Sequence, residues 1–308
     1  VAENEQVERV AREVFLSSFA GNTRGFGWAM RRIASAMRDR SLEPGDLVFQ
    51  EGDPADHVYF VVSGEVKLVR PGANDRILGG RSFIGTPDVL SERPRSRTAV
   101  ATAATHLLQM RSDEWLDLLE DSFELTRRIV TNFALGVHAL RLRPPPLGGF
   151  DEPGTSAVDV PASLNLVERI LLLREVSIFA HASIQTLTVL AELADQLSAA
   201  KGDSLPGRDG TECRLVVVAS GEVSVALPDR GHEARFGRGS LVFGAAALNQ
   251  ASRYEARATT SARALAFSLE DYFDVMEEHF GLARSALTAL TDERDLLLDR
   301  GPPATSVF

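Results

Sequence analysis

The sequence predicts a mainly β chain with helical caps (α+β): two tandem antiparallel jelly-roll or barrel domains, each flanked by N- and C-terminal helices. Three observations predict it. Short apolar runs of strand length crowd residues 47–110, separated by turns bearing Gly and Pro. Stripes of helical period stand on either side of those runs. The landmarks of the first half then return in the second, in the same order.

Taken in order, Asn4–Leu16 carries Val7, Val10, Ala11 and Val14 at helical spacing, and a break follows at Phe19–Thr23. A second helical stretch is expected from about Thr23 to Arg40, with Phe26, Met30, Ile33, Ala34 and Met37 on one face. After Pro44-Gly45 the period becomes two. Leu47–Phe49, Val58–Val62, Val66–Val69, Ile77-Leu78, Ser96–Thr102 and Leu107–Met110 read as strands. Glu51-Gly52-Asp53-Pro54, Ser63-Gly64 and Pro71-Gly72 punctuate them. From Asp113 the pattern is helical again. Trp115, Leu118 and Leu119 lead into a seam of Leu125, Ile129, Phe133, Val137 and Leu140.

Residues 144–162 hold five of the fourteen prolines and read as a linker. Beyond it Val7-Glu8-Arg9 returns as Val167-Glu168-Arg169 and Phe19-Ala20 as Phe179-Ala180. Gly45-Asp46 returns as Gly202-Asp203, and Ser63-Gly64-Glu65-Val66 as Ser220-Gly221-Glu222-Val223. A near-constant offset over ordered landmarks means a duplicated domain. The expected boundaries are 1–143 for the first domain, 144–162 for the linker, 163–300 for the second domain and 301–308 for a tail.

A formal net charge of −10 argues against nucleic acid, which needs a basic footprint, and against anionic membranes. The lone Cys213 rules out a disulfide within the chain and suits a reducing, cytoplasmic setting. No apolar run nears the ~20 residues of a membrane span, and no basic-then-apolar leader opens the chain. The six histidines form no cluster with ligand spacing, so no metal and no catalytic residue is predicted. Neither a nucleophile elbow nor a Walker loop occurs, and the expectation is a protein that is not an enzyme and carries no cofactor.

The stretch FIGTPDVLSERPRSRTAVA, Phe83–Ala101, has the layout of a phosphate-cradling loop. Gly85 lets the backbone turn at a strand end. Thr86 can cap one helical turn, with Pro87 at its first position. Arg95 can grip two phosphate oxygens, and Ser96 adds a hydroxyl and an N–H. Spacing alone leaves a second reading open, in which Arg93, Arg95 and Arg97 are solvated positions on an edge strand marked by Pro94.

The order helix, Gly45-Asp46, Gly52-Asp53, Ser63-Gly64, FIG, Pro-Arg-Ser and closing helices resembles the cyclic nucleotide-binding domain family, over 4–142 and more weakly over 164–299. That resemblance implies a β-roll of about eight strands in each half, arranged as in protein kinase regulatory subunits. It implies Arg95 on the cyclic phosphate of cyclic AMP or cyclic GMP, Ser96 bonded to the same phosphate, and Gly85 against the sugar. The family carries Glu where this chain has Thr86, losing one charge-assisted bond to the ribose, about 1.5–3 kcal/mol. Arg97 replaces a small residue and either enters the pocket or points away. The second cassette departs further, with Ala245 at the Glu position and Ser252 at the Arg position, although Gly244 is kept. The expected function is therefore a regulatory sensor whose first domain binds a cyclic nucleotide or related phosphate weakly. The alternative is a ligand-free structural or protein-interaction module. The helix over 121–143 either packs on its own roll or serves a protein partner or self-association. No DNA-reading module is expected after the second copy.

Overall fold

The structure, a computed structural model, describes residues 27–141, 163–205, 208–209, 212–227, 232–242 and 255–300. The expected helix at 4–16, the linker, the second cassette at 243–254 and the tail lie outside the described residues. Two compact units emerge: residues 1–128 with 298–308, and residues 129–297.

In the first unit the helix Gly27–Ala36 buries Ala29, Ile33 and Ala34. It ends four residues short of the expected Arg40. Arg38–Leu42 is instead a strand, β1, laid antiparallel on Thr105–Arg111 (β8) from Arg38↔Gln109 to Leu42↔Thr105. The segment Arg38-Asp39-Arg40-Ser41 has no apolar period of its own, so the ladder groups offered by β8 decide its conformation.

The remaining strands are Leu47–Phe49 (β2), His57–Ser63 (β3), Glu65–Val69 (β4), Arg76–Gly79 (β5), Phe83–Ile84 (β6) and Thr98–Ala101 (β7). They form two four-stranded antiparallel sheets, β1-β8-β3-β6 and β2-β7-β4-β5. Period-2 alternation sends Leu78, Ala99 and Ala101 to the core, whereas β3 buries Val58, Tyr59, Phe60 and Val61 in a continuous run. β3 turns into β4 at Gly64, whose φ is +89° and where a Cβ would lie 2.4 Å from Ala104 O. The helices Ser112–Asp121 and Phe123–Arg141 follow, the first burying Trp115, Leu118 and Leu119. Phe83 links this cap to the roll, its ring centroid 4.8 Å from Phe60 and 5.9 Å from Trp115. Along the second helix Leu125, Val137 and Leu140 are buried within the chain, while Ile129 and Phe133 are half-buried.

The second unit repeats the frame. Its strands are Asp195–Ala199 (β9), Ser204–Leu205 (β10), Arg208–Asp209 (β11), Glu212–Ser220 (β12), Val223–Leu227 (β13), His232–Phe236 (β14), Leu241–Val242 (β15), Glu255–Ala258 (β16) and Ala262–Ser268 (β17). One sheet runs β10-β16-β13-β14; in the other β12 pairs with β17 and β15, and β17 with β9. Apart from the added β11, this is the order of the first roll. The register is kept as well: Arg38↔Gln109 corresponds to Asp195↔Ala266, and Val66↔Ala101 to Val223↔Ala258. The β-bulge at Val61/Ser63 recurs at Val218/Ser220. Gly45 and Gly202, at φ +97° and +96°, each donate a 2.8 Å bond, to Ala101 O and Ala258 O. Thr102 Oγ1 and Thr259 Oγ1 donate to the carboxylates of Glu65 and Glu222.

Candidate functional site

The cassette begins where β6 ends. Gly85, at φ +82°, turns the strand into the short helix Thr86–Leu90 and takes its N-cap position, with Pro87 in the first turn. The expected cap, Thr86, is instead the first helical residue. A left-handed φ is needed at the strand-to-helix corner, and glycine supplies it without strain. Thr86 is buried, and its hydroxyl has no hydrogen-bond partner among the described residues.

Arg95 is lashed to the preceding turn by its backbone. Its N–H donates to Asp53 O and its carbonyl accepts from Gly52 N, both at 2.8 Å. That turn is closed by Asp53, whose Oδ2 accepts from Gln50 N at 2.8 Å. The Gly52-Asp53 motif therefore places the arginine. The Arg95 side chain runs inward and is 1% exposed, which removes the solvated edge-strand reading for this residue. Nη1 donates to Gly85 O at 3.0 Å and Nη2 to His57 O. The guanidinium carbon sits 4.3 Å from the Phe49 ring centroid and 5.7 Å from that of Tyr59, within cation–π range. Nε has no partner among the described residues. Gly85 and Arg95 fit each other closely, since a Cβ on Gly85 would lie 2.4 Å from Nη1.

Among the described residues no carboxylate reaches ion-pair distance of Arg95. Burial pulls its pKa down, opposed by Tyr59 and, through space, by Asp88 and Asp56. Burial likewise pushes the Tyr59 phenol up, against the nearby Arg95 charge. For Asp56 burial raises the pKa, but its bond to His57 and the charges of His57 and Arg95 bring it below its ordinary value. Arginine stays cationic throughout. Ser96 follows in the chain, half-buried, and its hydroxyl makes no hydrogen bond among the described residues.

Arg97 points inward. It is 3% exposed and donates from Nη2 to Asp299 Oδ1 and from Nη1 to Asn74 O at 3.3 Å. Arg76 Nη2 donates to the same Asp299 oxygen at 2.8 Å, and Arg70 Nη2 to Oδ2. Asn74 Nδ2 donates to Asp299 O at 3.0 Å. Burial raises the Asp299 carboxyl, but the hydrogen bond and charge of Arg76 and Arg97 outweigh it and hold the group below the usual carboxylate range. Sequence reasoning missed Phe49, Tyr59, Arg76 and Asp299. A signal existed for Arg76, which shares the inward parity of Leu78 in the strand Arg76-Ile77-Leu78-Gly79.

Among the described residues no group of three or more His, Cys, Asp and Glu is placed to hold a metal ion, and no helix is long and apolar enough to cross a membrane.

The first unit is thus a roll with helical caps and a glycine-led loop around a buried arginine, and the comparisons bear on that part of the chain. Residues 39–122 match the family model of the cyclic nucleotide-binding domain. A cyclic nucleotide-gated potassium channel of Mesorhizobium japonicum is 33% identical over 93 residues, 30% of this chain and 26% of the channel. The cAMP-dependent protein kinase regulatory subunit of Yarrowia lipolytica is 25% identical over 129 residues, 42% of this chain and 34% of that subunit. The chain thus spans about a quarter to a third of these curated relatives. Among solved structures, a triple mutant of the regulatory subunit of a cAMP-independent protein kinase A from Trypanosoma brucei, bound to cAMP in its A site, aligns over 92% of this chain and 89% of its own, at 16% identity and a TM-score of 0.35.

Proposed function

We propose that this protein is a non-enzymatic regulator whose first roll senses a cyclic nucleotide, cyclic AMP or cyclic GMP, or a related phosphate, with Arg95 gripping the phosphate and Gly85, Thr86 and Ser96 around it. One observation carries the reading. Among the described residues Arg95 is a buried cation met by neutral carbonyls and aromatic faces, with no carboxylate at ion-pair distance. Burying a charge without a counter-charge is costly, and a ligand phosphate supplies the missing partner through a bidentate bond. The family match over 39–122 supports the same reading. With Thr86 where the family has Glu, binding is weaker than a complete cassette would give, by about ten- to a hundredfold. The second roll is a structural copy in this reading, and the domains divide near 1–143 and 163–300. The lone Cys213 fits a cytoplasmic setting.

A second reading, the ligand-free structural or interaction module, is favoured by the contacts Arg95 already makes with Gly85 O, His57 O and Phe49, which tie three segments of the roll together. Isothermal titration of the full chain with cyclic AMP and cyclic GMP separates the two. The sensor predicts one-to-one binding to one of them, weakened more than tenfold in Arg95→Ala with its circular dichroism unchanged. Absence of binding to both, or equal binding by the variant, leaves the structural module.

A further inference from the structure

We propose that Arg76 and Arg97 form a second anion site within the first unit, suited to a phosphate group, and that the carboxylate of Asp299 is its resident occupant. This goes beyond the sensor reading, because it shares no donor with the Arg95 site.

Both arginines donate to a single oxygen, Asp299 Oδ1, while Arg70 takes Oδ2. Their side chains are 8% and 4% exposed, against 36% for Arg70, so the pair that defines the site is internal and Arg70 stands at its rim. The inward placement follows from the sheet. Leu68 on β4 pairs with Arg76 on one side and with Ala99 on the other, and Arg97 stands two residues before Ala99. Planar guanidinium groups converging on one oxygen accept a phosphate oxygen as readily as a carboxylate.

The occupant is held against a local disadvantage. Asp299 is the penultimate residue of the helix Phe280–Arg300, where the unpaired carbonyls of the last turn disfavour a negative charge. It is also 13% exposed, so its oxygens are in reach of solvent and of a competing anion. The fold does not need the site: the register that pairs Leu68 with Arg76 pairs Val225 with Ala234 in the second roll. The ligand class is accordingly an organic phosphate with a second anionic group, or a free phosphate or pyrophosphate ion.

The test titrates wild type, Asp299→Asn and the double variant Asp299→Asn/Arg97→Gln with inorganic phosphate, pyrophosphate and cyclic AMP by calorimetry. Asp299→Asn is expected to bind pyrophosphate at least tenfold more tightly than wild type, and the double variant to lose that gain. Asp299→Glu, which restores the charge, is expected to return to the wild-type affinity. No gain in Asp299→Asn, or a gain that survives the loss of Arg97, overturns the site. Should Asp299→Asn fail to fold, pyrophosphate is expected to raise the Tm of wild type and not of Arg97→Gln; equal shifts overturn it. Arg95→Ala placed in Asp299→Asn is expected to keep pyrophosphate binding, so failure of the sensor reading and failure of this one are told apart. A response to phosphate and pyrophosphate alone identifies a free-ion site, and a response to cyclic AMP that depends on Arg97 identifies an organic phosphate.

Discussion

The two rolls share a frame and differ in what they bury. Strand order, register, bulge and turn glycines coincide at an offset of 157 residues along most of the frame. Yet the first unit buries Arg76, Asp88, Arg95 and Arg97, whereas the buried polar side chains described in the second are Ser and Thr only. Tyr59 is matched in register by Val216, and Arg76 by Ala234. Removing ionised groups from water costs several kcal/mol each unless they are well paired. Since the described part of the second roll keeps the same ladder without buried charges, the ladder itself does not require those of the first.

The shared frame can be broken at its turns. Gly64→Ala and Gly221→Ala each put a Cβ within 2.4 Å of a backbone oxygen at positive φ. Each is expected to cost about 3 kcal/mol, read by denaturant unfolding. A loss at only one of the two would break the equivalence of the rolls. The difference can be sharpened at the cassette. Thr86→Glu places a carboxylate at the start of a helix, where it is favoured, and restores an acceptor for a ribose hydroxyl. Cyclic-nucleotide affinity is expected to rise about tenfold, roughly 1.4 kcal/mol, in calorimetry. No rise would show that more than this residue separates the first roll from a complete site.

The smallest expected effect is on the acid side. The Asp299 carboxyl is held below its ordinary value of 3.8 in the folded chain. Its contribution to stability is therefore complete above about pH 4 and is lost as pH falls through the folded value. Urea midpoints measured from pH 6 to pH 3 are expected to fall more steeply for wild type than for Asp299→Asn. Parallel curves would mean that the three arginines gain nothing from that charge.

Most of the frame was legible because it is written in local patterns. The runs at 47–49, 58–62 and 66–69 lie within observed strands, and the helices around Trp115 and Leu125 stand where the apolar period put them. β1 was not legible, since Arg38-Asp39-Arg40-Ser41 acquires its conformation from a partner almost seventy residues on. The cap moved from Thr86 to Gly85 because backbone handedness, and not side-chain chemistry, governs that corner. Gly85 and Arg95 were singled out by spacing, and in the structure Arg95 Nη1 donates to Gly85 O, whereas the hydroxyls of Thr86 and Ser96 make no hydrogen bond among the described residues. Asp299 was invisible because it meets Arg76 across 223 residues of chain.

The contact between Gly85 and Arg95 also sets an order in which such a loop can change over generations. While Arg95 is present, any side chain at position 85 must both adopt φ +82° and push against a guanidinium nitrogen. Once the arginine is gone only the backbone penalty remains. Substitution is thus easier at 95 first and at 85 later, and the second copy, with Gly244 kept and Ser252 where the arginine would stand, has the composition of a loop stopped at the first of those two steps.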